Sequence, residues 1–392
     1  MKILYMGYFC NEEFFDQLVE NGTKSSHARQ QLEYKFLSSI IKGLKENDTL
    51  DLISYLPKIK GKLKKGEIWK RCYIKYAWCN KKNPCSVLKT IIQNMGRIIK
   101  WSIINRRENK IILIYSVNLL HAMPALCLRK YLNYKVVTLS SEVSLYRRKK
   151  KGQIISNVSR KIEQGLDNCF DGYIVLTKYM DEVINKNGMP SIVIEGIAGS
   201  IGTAEEDNVI KKKAILYAGG LSLDNGIIML VEAFIRIENH EWELWICGDG
   251  ELKGKILDYE KKHQNIKYFG VIPNIEVRKL EREAKLLINP RFSQNEYTKY
   301  SFPSKTIEYM ESGTATIITR LVGIPEEYFE YVFTLEEESV DGLKCLLEYL
   351  FSLREEELFE KGKRAKEFVL KKKNITCQGE KITDFLRFVM GG

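Results

Sequence analysis

The sequence predicts an α/β protein built as two doubly wound domains in tandem, and three observations predict it. Short β-rich runs alternate with helical stretches along most of the chain, the pattern of parallel sheets layered with helices. The alternation breaks near residues 195–213, where "EGIAGSIGTAEEDNVIKKK" is small, polar and without an apolar period, a texture that belongs to an inter-domain linker. At 392 residues, 44% of them apolar, the chain can supply two cores of ordinary size. The expected domains are 1–197, joined by a returning C-terminal helix 376–392, and 198–375.

Each element is read from its period. "KILYMGYF" opens as a strand. "SHARQQLEYKFLSSIIKGLKEN" follows as a helix, its Leu32, Phe36, Ile40 and Leu44 four residues apart. "DLISYL", "IILIYSV", "KVVTLS" and "GYIVLT" are buried-strand candidates, with helices such as "VNLLHAMPALCLRKYL" between them. After the linker the alternation restarts with "AILYAGG", "IIMLVEAFIRI", "WELWICGDG", "ELKGKILDYEKKH", "IKYFGVI", "NIEVRKLEREA" and "KLLINPRF". A helix from Ser304, a stop at Gly313 and the strand "TATIITR" come next. The closing "EKITDFLRFVM" is amphipathic and is expected to pack on the first domain.

Composition narrows the function classes. No stretch approaches the roughly 20 apolar residues that cross a bilayer, and the short apolar start is followed by acids, unlike a signal peptide. Nine scattered cysteines without a CxxC pair, and four distant histidines, predict reduced thiols in a cytoplasmic protein and no metal site. The excess of 62 Lys and Arg over 50 Asp and Glu gives +12 and predicts an anionic partner. The excess concentrates in residues 58–110, where basic residues interleave with Trp69, Tyr73, Tyr76, Trp78 and Trp101, and recurs in "YRRKKKG" at 146–152. Basic residues with interfacial aromatics suit an anionic membrane surface. A solvated lysine-rich face is the plainer alternative. No nucleic-acid partner is expected, because no RNA-binding signature or helix-turn-helix spacing is present.

Chemistry-bearing residues collect at predicted strand ends of the second domain, where parallel sheets bind ligands. Gly219 and Gly220 end one strand; Gly248, Asp249 and Gly250 end another. Glycine lets a backbone approach a ligand closely, although each alone is often just a turn. In "RFSQNEYTKYSFPSKTIEYMESG" the helix start carries Pro303, Ser304, Lys305 and Thr306. A helix N-terminus attracts anions, and Lys305 adds a full charge. Arg291 offers a planar fork for phosphate, and Glu308, one turn in, suits the vicinal hydroxyls of a ribose. A phosphate cradle beside a diol acceptor predicts a nucleoside diphosphate site. An amphipathic helix with ordinary polar surface is the alternative.

On these residues the segment 214–325 resembles the donor-binding domain of glycosyltransferase family 4, which has the GT-B fold. That family's pattern runs G-R-L-x-x-x-K-G, then G-x-G, then E-G-F-G-x-x-x-x-E-A-x-x-x-G-x-P-V. Here stand "GGLSLDNG", "CGDGEL" and "YSFPSKTIEYMESGTAT", with Phe302, Glu308 and Gly313 matching. The phrase "NPRF…KYSFPSKTIEYMESG" is most similar to a branch acting in bacterial surface polysaccharide assembly. Three departures stand out. Tyr300 holds the place of the first of two glutamates, and Gly220 and Asn225 hold the places of the loop's Arg and Lys. Arg291 and Lys305 are expected to replace the cations, and Glu296 the carboxylate.

The resemblance implies two Rossmann-like domains facing a central cleft. It implies a retaining, metal-independent hexosyl transfer without a cofactor, from a nucleotide sugar (UDP-sugar favoured, GDP-sugar possible). With the basic region, it implies a lipid-linked saccharide acceptor and a peripheral position at the inner face of the plasma membrane. In the first domain His121 and Glu142, both near strand ends, are the candidates for catalytic or sugar contact; for His121, on an apolar helix face, a core role is the alternative. A sugar-nucleotide epimerase and a non-catalytic partner subunit are the competing functions.

Overall fold

A computed structural model describes residues 1–9, 27–55, 66–69, 72–77, 79, 83–143, 154–199, 209–239 and 241–391. The basic run 146–152 lies outside them, as do residues 58–65, 70–71, 78 and 80–82 of the basic aromatic region and 200–208 of the expected linker. The chain forms two compact units, Met1–Ile197 with Ile375–Gly392, and Ala198–Asn374. Both are α/β, as the alternation predicts.

The first unit is an eight-stranded sheet in the order β3-β4-β2-β1-β5-β6-β7-β8. Its strands are β1 (Lys2–Gly7), β2 (Thr49–Tyr55), β3 (Gly66–Trp69), β4 (Cys72–Ala77), β5 (Lys110–Tyr115), β6 (Lys135–Ser140), β7 (Gly172–Val175) and β8 (Ser191–Val193). Every pairing is parallel except β3 with β4. β5, "KIILIY", is buried along its whole length, the continuous apolar run of a strand covered on both faces. The covering helices are α1 (His27–Gly43), α2 (Pro84–Ile104), α3 (Leu119–Leu132), α4 (Ile154–Leu166) and α5 (Lys178–Ile184).

The basic aromatic region, read from sequence as a helix or loop on a surface, includes an edge hairpin (β3 and β4) and the 21-residue α2. Asn83 starts α2 by accepting from the amides of Cys85 and Ser86, with Pro84 as the first helical residue.

A last helix, α12 (Ile375–Val389), belongs to this unit and packs on α1. The two helices meet backbone to backbone. A Cβ on Gly379 would lie 2.0 Å from the Ser39 carbonyl oxygen, and one on Gly43 would lie 2.2 Å from that of Gly379. Only glycine permits that approach. Thr383 Oγ1 donates to the Gly43 carbonyl, and Arg387 pairs with Asp48 at 2.6 Å.

The second unit is a fully parallel six-stranded sheet in the order β11-β10-β9-β12-β13-β14. Its strands are β9 (Lys212–Ala218), β10 (Glu243–Cys247), β11 (Ile266–Gly270), β12 (Ala284–Asn289), β13 (Ala315–Thr319) and β14 (Phe333–Leu335). The helices are α6 (Ile227–Ile235), α7 (Lys253–Lys262), α8 (Asn274–Glu283), α9 (Ser304–Ser312), α10 (Val340–Ser352) and α11 (Glu355–Lys372). α6 and α10 bury Leu230, Phe234, Leu343 and Leu347 in one core on this sheet. Tyr309 of α9 and Val277 of α8 pack in a second core. Placing β9 between β10 and β12 makes the order of connection reverse at β9, and the carboxyl ends beside such a reversal form a crevice.

Candidate functional site

Three loops leave the carboxyl ends of β9, β10 and β12 and hold one another. The Gly219 amide donates to the Cys247 carbonyl, and the Leu221 amide to the Asp249 carbonyl, each at 3.0 Å. The Phe292 amide reaches the Asp224 carbonyl. Gly248 has φ +134°, and a Cβ there would sit 1.9 Å from the Gly219 carbonyl oxygen. Loop packing alone therefore requires glycine at 248. Asp249 and Gly250 are exposed beside it, and Asp249 accepts from the Gly250 amide.

Gly220 and Asn225, standing where the resemblance expects cations, are bonded to each other. Asn225 Nδ2 donates to the Gly220 carbonyl at 2.9 Å, and Tyr217 Oη donates to the same oxygen at 2.7 Å. That pairing shapes the loop and brings no positive charge.

Arg291 follows β12. It forms no ion pair among the described residues, and its buried Nε has no hydrogen-bond partner. Its guanidinium lies 5.9 Å from the Tyr297 ring centroid. Burial pushes the Tyr217 phenol above its ordinary range, and the Arg291 charge partly opposes the push.

α9 begins at Ser304, after Pro303 in extended conformation, and no side chain caps it. Ser304 is exposed, whereas Thr306 is buried and its hydroxyl has no hydrogen-bond partner among the described residues. Gly313, with φ +76°, ends the helix. Tyr309 fixes α9 to the sheet: its hydroxyl accepts from the Ala218 amide at 2.8 Å, at the last residue of β9. The uncapped turn is therefore held at the strand ends by a buried side chain on the same helix.

Lys305 is not a free cation. Its Nζ lies 2.8 Å from Glu308 and 3.4 Å from Glu281 of α8. Arg278, also on α8, lies 3.3 Å from Glu281 and 3.9 Å from Glu308, and donates to the Glu308 carbonyl. Two cations and two carboxylates thus form a neutral cluster in which Glu281 is fully buried and Lys305 is the most exposed. Burial raises the Glu281 pKa, while Lys305 and Arg278 pull it back. Burial disfavours the Lys305 ammonium, but Glu308 and Glu281 outweigh it, so its pKa rises. Arg278 and Glu281 were not singled out from sequence. The signal available was their three-residue spacing on an amphipathic helix, which is common on solvated helices.

Other predicted residues take varied places. Glu296 is exposed and Tyr300 half-buried, both in a single turn of 3-10 helix, Glu296–Tyr300. Phe302 is buried with its ring 5.3 Å from that of Tyr328, a core position. In the first unit, His121 is fully buried, its ring 4.7 Å from Tyr55 and 5.3 Å from Tyr8. Glu142 is exposed after β6.

At the opposite end of the second sheet, a cavity of about 260 Å³ is lined by Lys211, Lys285, Thr314, Glu355, Leu358 and Phe359 among others. Lys211 donates there to the Ala284 carbonyl and to Thr314 Oγ1. Burial first, and then the Arg282 charge, lower its pKa to about 8.

Comparison with known proteins now bears on this site. Residues 212–349, all within the second unit, match the family model described as "Glycosyl transferases group 1". No curated protein sequence matches the chain. Solved structures match its whole length. Sucrose-phosphate synthase from Thermosynechococcus elongatus is 12% identical, covers 100% of this chain and 99% of its own, and has a TM-score of 0.66. Anabaena HepE in complex with UDP is 13% identical, with coverages of 99% and 100% and a TM-score of 0.60. The trehalose-6-phosphate protein from E. coli bound with UDP-2-fluoro glucose is 9% identical, with 99% of each chain covered and a TM-score of 0.64. At such identities the likeness is one of architecture: the chain has the GT-B fold.

Proposed function

We propose that the protein is a glycosyltransferase that takes a sugar from a nucleoside diphosphate sugar held at the carboxyl ends of the second sheet. One observation carries the reading. The uncapped N-terminus of α9, with Lys305 in its first turn, lies inside the segment that matches the group 1 model, as does Arg291 after β12. A helix start and two cations favour a diphosphate, each helix-end contribution amounting to about 0.3–1 kcal/mol. Solved proteins of this fold hold UDP or a UDP-sugar, which supports a UDP-sugar donor over a GDP-sugar.

In this reading the diphosphate draws Lys305 away from Glu308. The released Glu308 carboxylate accepts the ribose hydroxyls, and Arg278 with Glu281 keeps the base of the helix in place. The leaving diphosphate is stabilised by the same helix end and cations, positioned before the reaction begins. Glu296 and Tyr300 flank the site on the preceding loop. A saccharide carried on a lipid is the proposed acceptor, transfer proceeds with retention, and Glu142 is the exposed first-unit candidate for an acceptor contact. His121, being buried between two tyrosine rings, fits a shaping role.

A second reading, a non-catalytic partner that binds a nucleotide sugar, is favoured by the internal neutralisation of Lys305 and by Tyr300 in the place of a glutamate. A thermal-shift screen against UDP, GDP, ADP and CMP, followed by nucleotide release from the matching donors with a lipid extract, separates the readings. Selective stabilisation by UDP with release of UDP supports the transferase. Stabilisation without release supports the partner, and no stabilisation by any nucleotide rejects both.

A further inference from the structure

We infer that α2 is a membrane-docking helix whose outward apolar row enters the interface of an anionic bilayer. Leu88, Ile92, Ile99 and Ile103 are 59%, 59%, 37% and 59% exposed. At 3.6 residues per turn these four positions fall within ~60° of arc and span ~22 Å along the axis. Four exposed branched aliphatic side chains in one row are more than a monomeric surface usually presents on a single helix. Scattered exposed apolar residues would need no explanation, but a row does.

The rest of the helix shows why that face stays outward. Thr90, Ile91, Asn94, Ile98, Trp101 and Ser102 are buried on the other side. Polar bonds lock that side: Asn94 Nδ2 donates to the Leu120 carbonyl at 2.7 Å, and Trp101 Nε1 donates to Asp51 at 3.0 Å. The helix cannot roll to hide the aliphatic row without breaking both.

Charge selects the occupant. The helix Pro84–Ile104 contains no Asp or Glu. Lys89 and Lys100 are exposed and lie next to the aliphatic row, ~40–60° further round. Arg106 and Arg107 are exposed just beyond its end. Among the described residues none of these four forms an ion pair, whereas Lys212, Lys213 and Lys267 of the second unit all do. An apolar row bordered by unpaired cations fits the acyl boundary and phosphate layer of an anionic membrane. A second copy of this chain would set the same cations against each other.

The test uses the full-length protein and needs no donor, so it stands apart from the transferase reading. Co-sedimentation is measured with phosphatidylcholine vesicles with and without phosphatidylglycerol. The wild type is expected to bind the anionic vesicles only. I92E/I99E should weaken that binding more than tenfold at every salt concentration. K89Q/K100Q should weaken it chiefly at low salt, where screening is least. I275E, at an exposed position of α8 (62% exposed), should bind like the wild type. All five substituted positions are at least 37% exposed or carry charge, so unchanged melting curves are expected and are checked. Wild-type binding by I92E/I99E, or equal loss in I275E, overturns the inference. So does a wild-type dimer in solution that I92E/I99E dissociates while vesicles are ignored.

Discussion

Lys305 and Glu308 face each other at 2.8 Å across one turn at the start of α9, and Glu281 and Arg278 complete the group from α8. The cation proposed to hold an anion is thus already balanced by two carboxylates. An incoming diphosphate has to outcompete Glu308, which is the less buried of the two.

Replacing Lys305 by alanine is therefore expected to weaken UDP binding about 10- to 100-fold, the size of one charge-assisted hydrogen bond. Titration calorimetry measures it. Glu308→Gln should instead free the ammonium: diphosphate affinity rises or holds, while contacts to the ribose weaken. Unchanged UDP affinity in the Lys305 variant would remove this residue from the donor site.

Arg278→Met should destabilise the second unit by about 3–5 kcal/mol, because Glu281 is fully buried and keeps only Lys305. Adding Glu281→Gln to that variant should restore part of the loss, since no buried carboxylate then lacks its partner. Urea midpoints for the single and double variants measure the coupling. Simple additivity would show that the cluster is not one unit.

Gly248→Ala is expected to cost about 2–4 kcal/mol, from a φ of +134° and a methyl group 1.9 Å from the Gly219 carbonyl oxygen. The strand-end loops would shift, so UDP affinity should fall in parallel. Gly254→Ala, in α7 with nothing within 4 Å of the added Cβ, should instead stabilise by up to about 1 kcal/mol. Circular-dichroism melts of both variants test the contrast.

Lys211 makes a pH-dependent prediction. Its pKa falls from 10.5 to about 8 on folding. Between those values the unfolded chain holds a proton that the folded chain has released, so this group makes stability rise with pH across the window. Below about pH 8 both states are protonated and the cost of the buried charge is constant. Lys211→Met should flatten the rise, by at most about 3 kcal/mol over the full window and less where solvent reaches the cavity. Urea unfolding at pH 7.5, 8.5 and 9.5 compares the slopes.

Much of the fold was legible in the sequence. Continuous apolar runs such as "KIILIY" and "ATIIT" are both parallel strands buried throughout. The helix starting at Ser304 and ending at Gly313 follows from local chemistry, because caps and left-handed turns are set within a few residues. The edge hairpin of β3 and β4 was not legible, since short alternating segments crowded with lysine resemble surface loops. At the candidate site, the sequence pointed to Lys305 and Glu308 but could not reveal that Arg278 and Glu281 reach them from a helix some 25 residues earlier.

By itself, then, the amino-acid sequence determined most of the strands and helices, the largely parallel character of the sheets and the position of the helical turn at Ser304. All of these depend on side-chain periodicity and on neighbours close along the chain. Only the tertiary structure decided that Glu281 and Arg278 reach Lys305 and Glu308, that Gly248 serves loop packing, and that the aliphatic row of α2 faces outward. Those facts depend on Coulomb forces and steric contacts between segments distant in sequence, and a linear period carries no record of such distances.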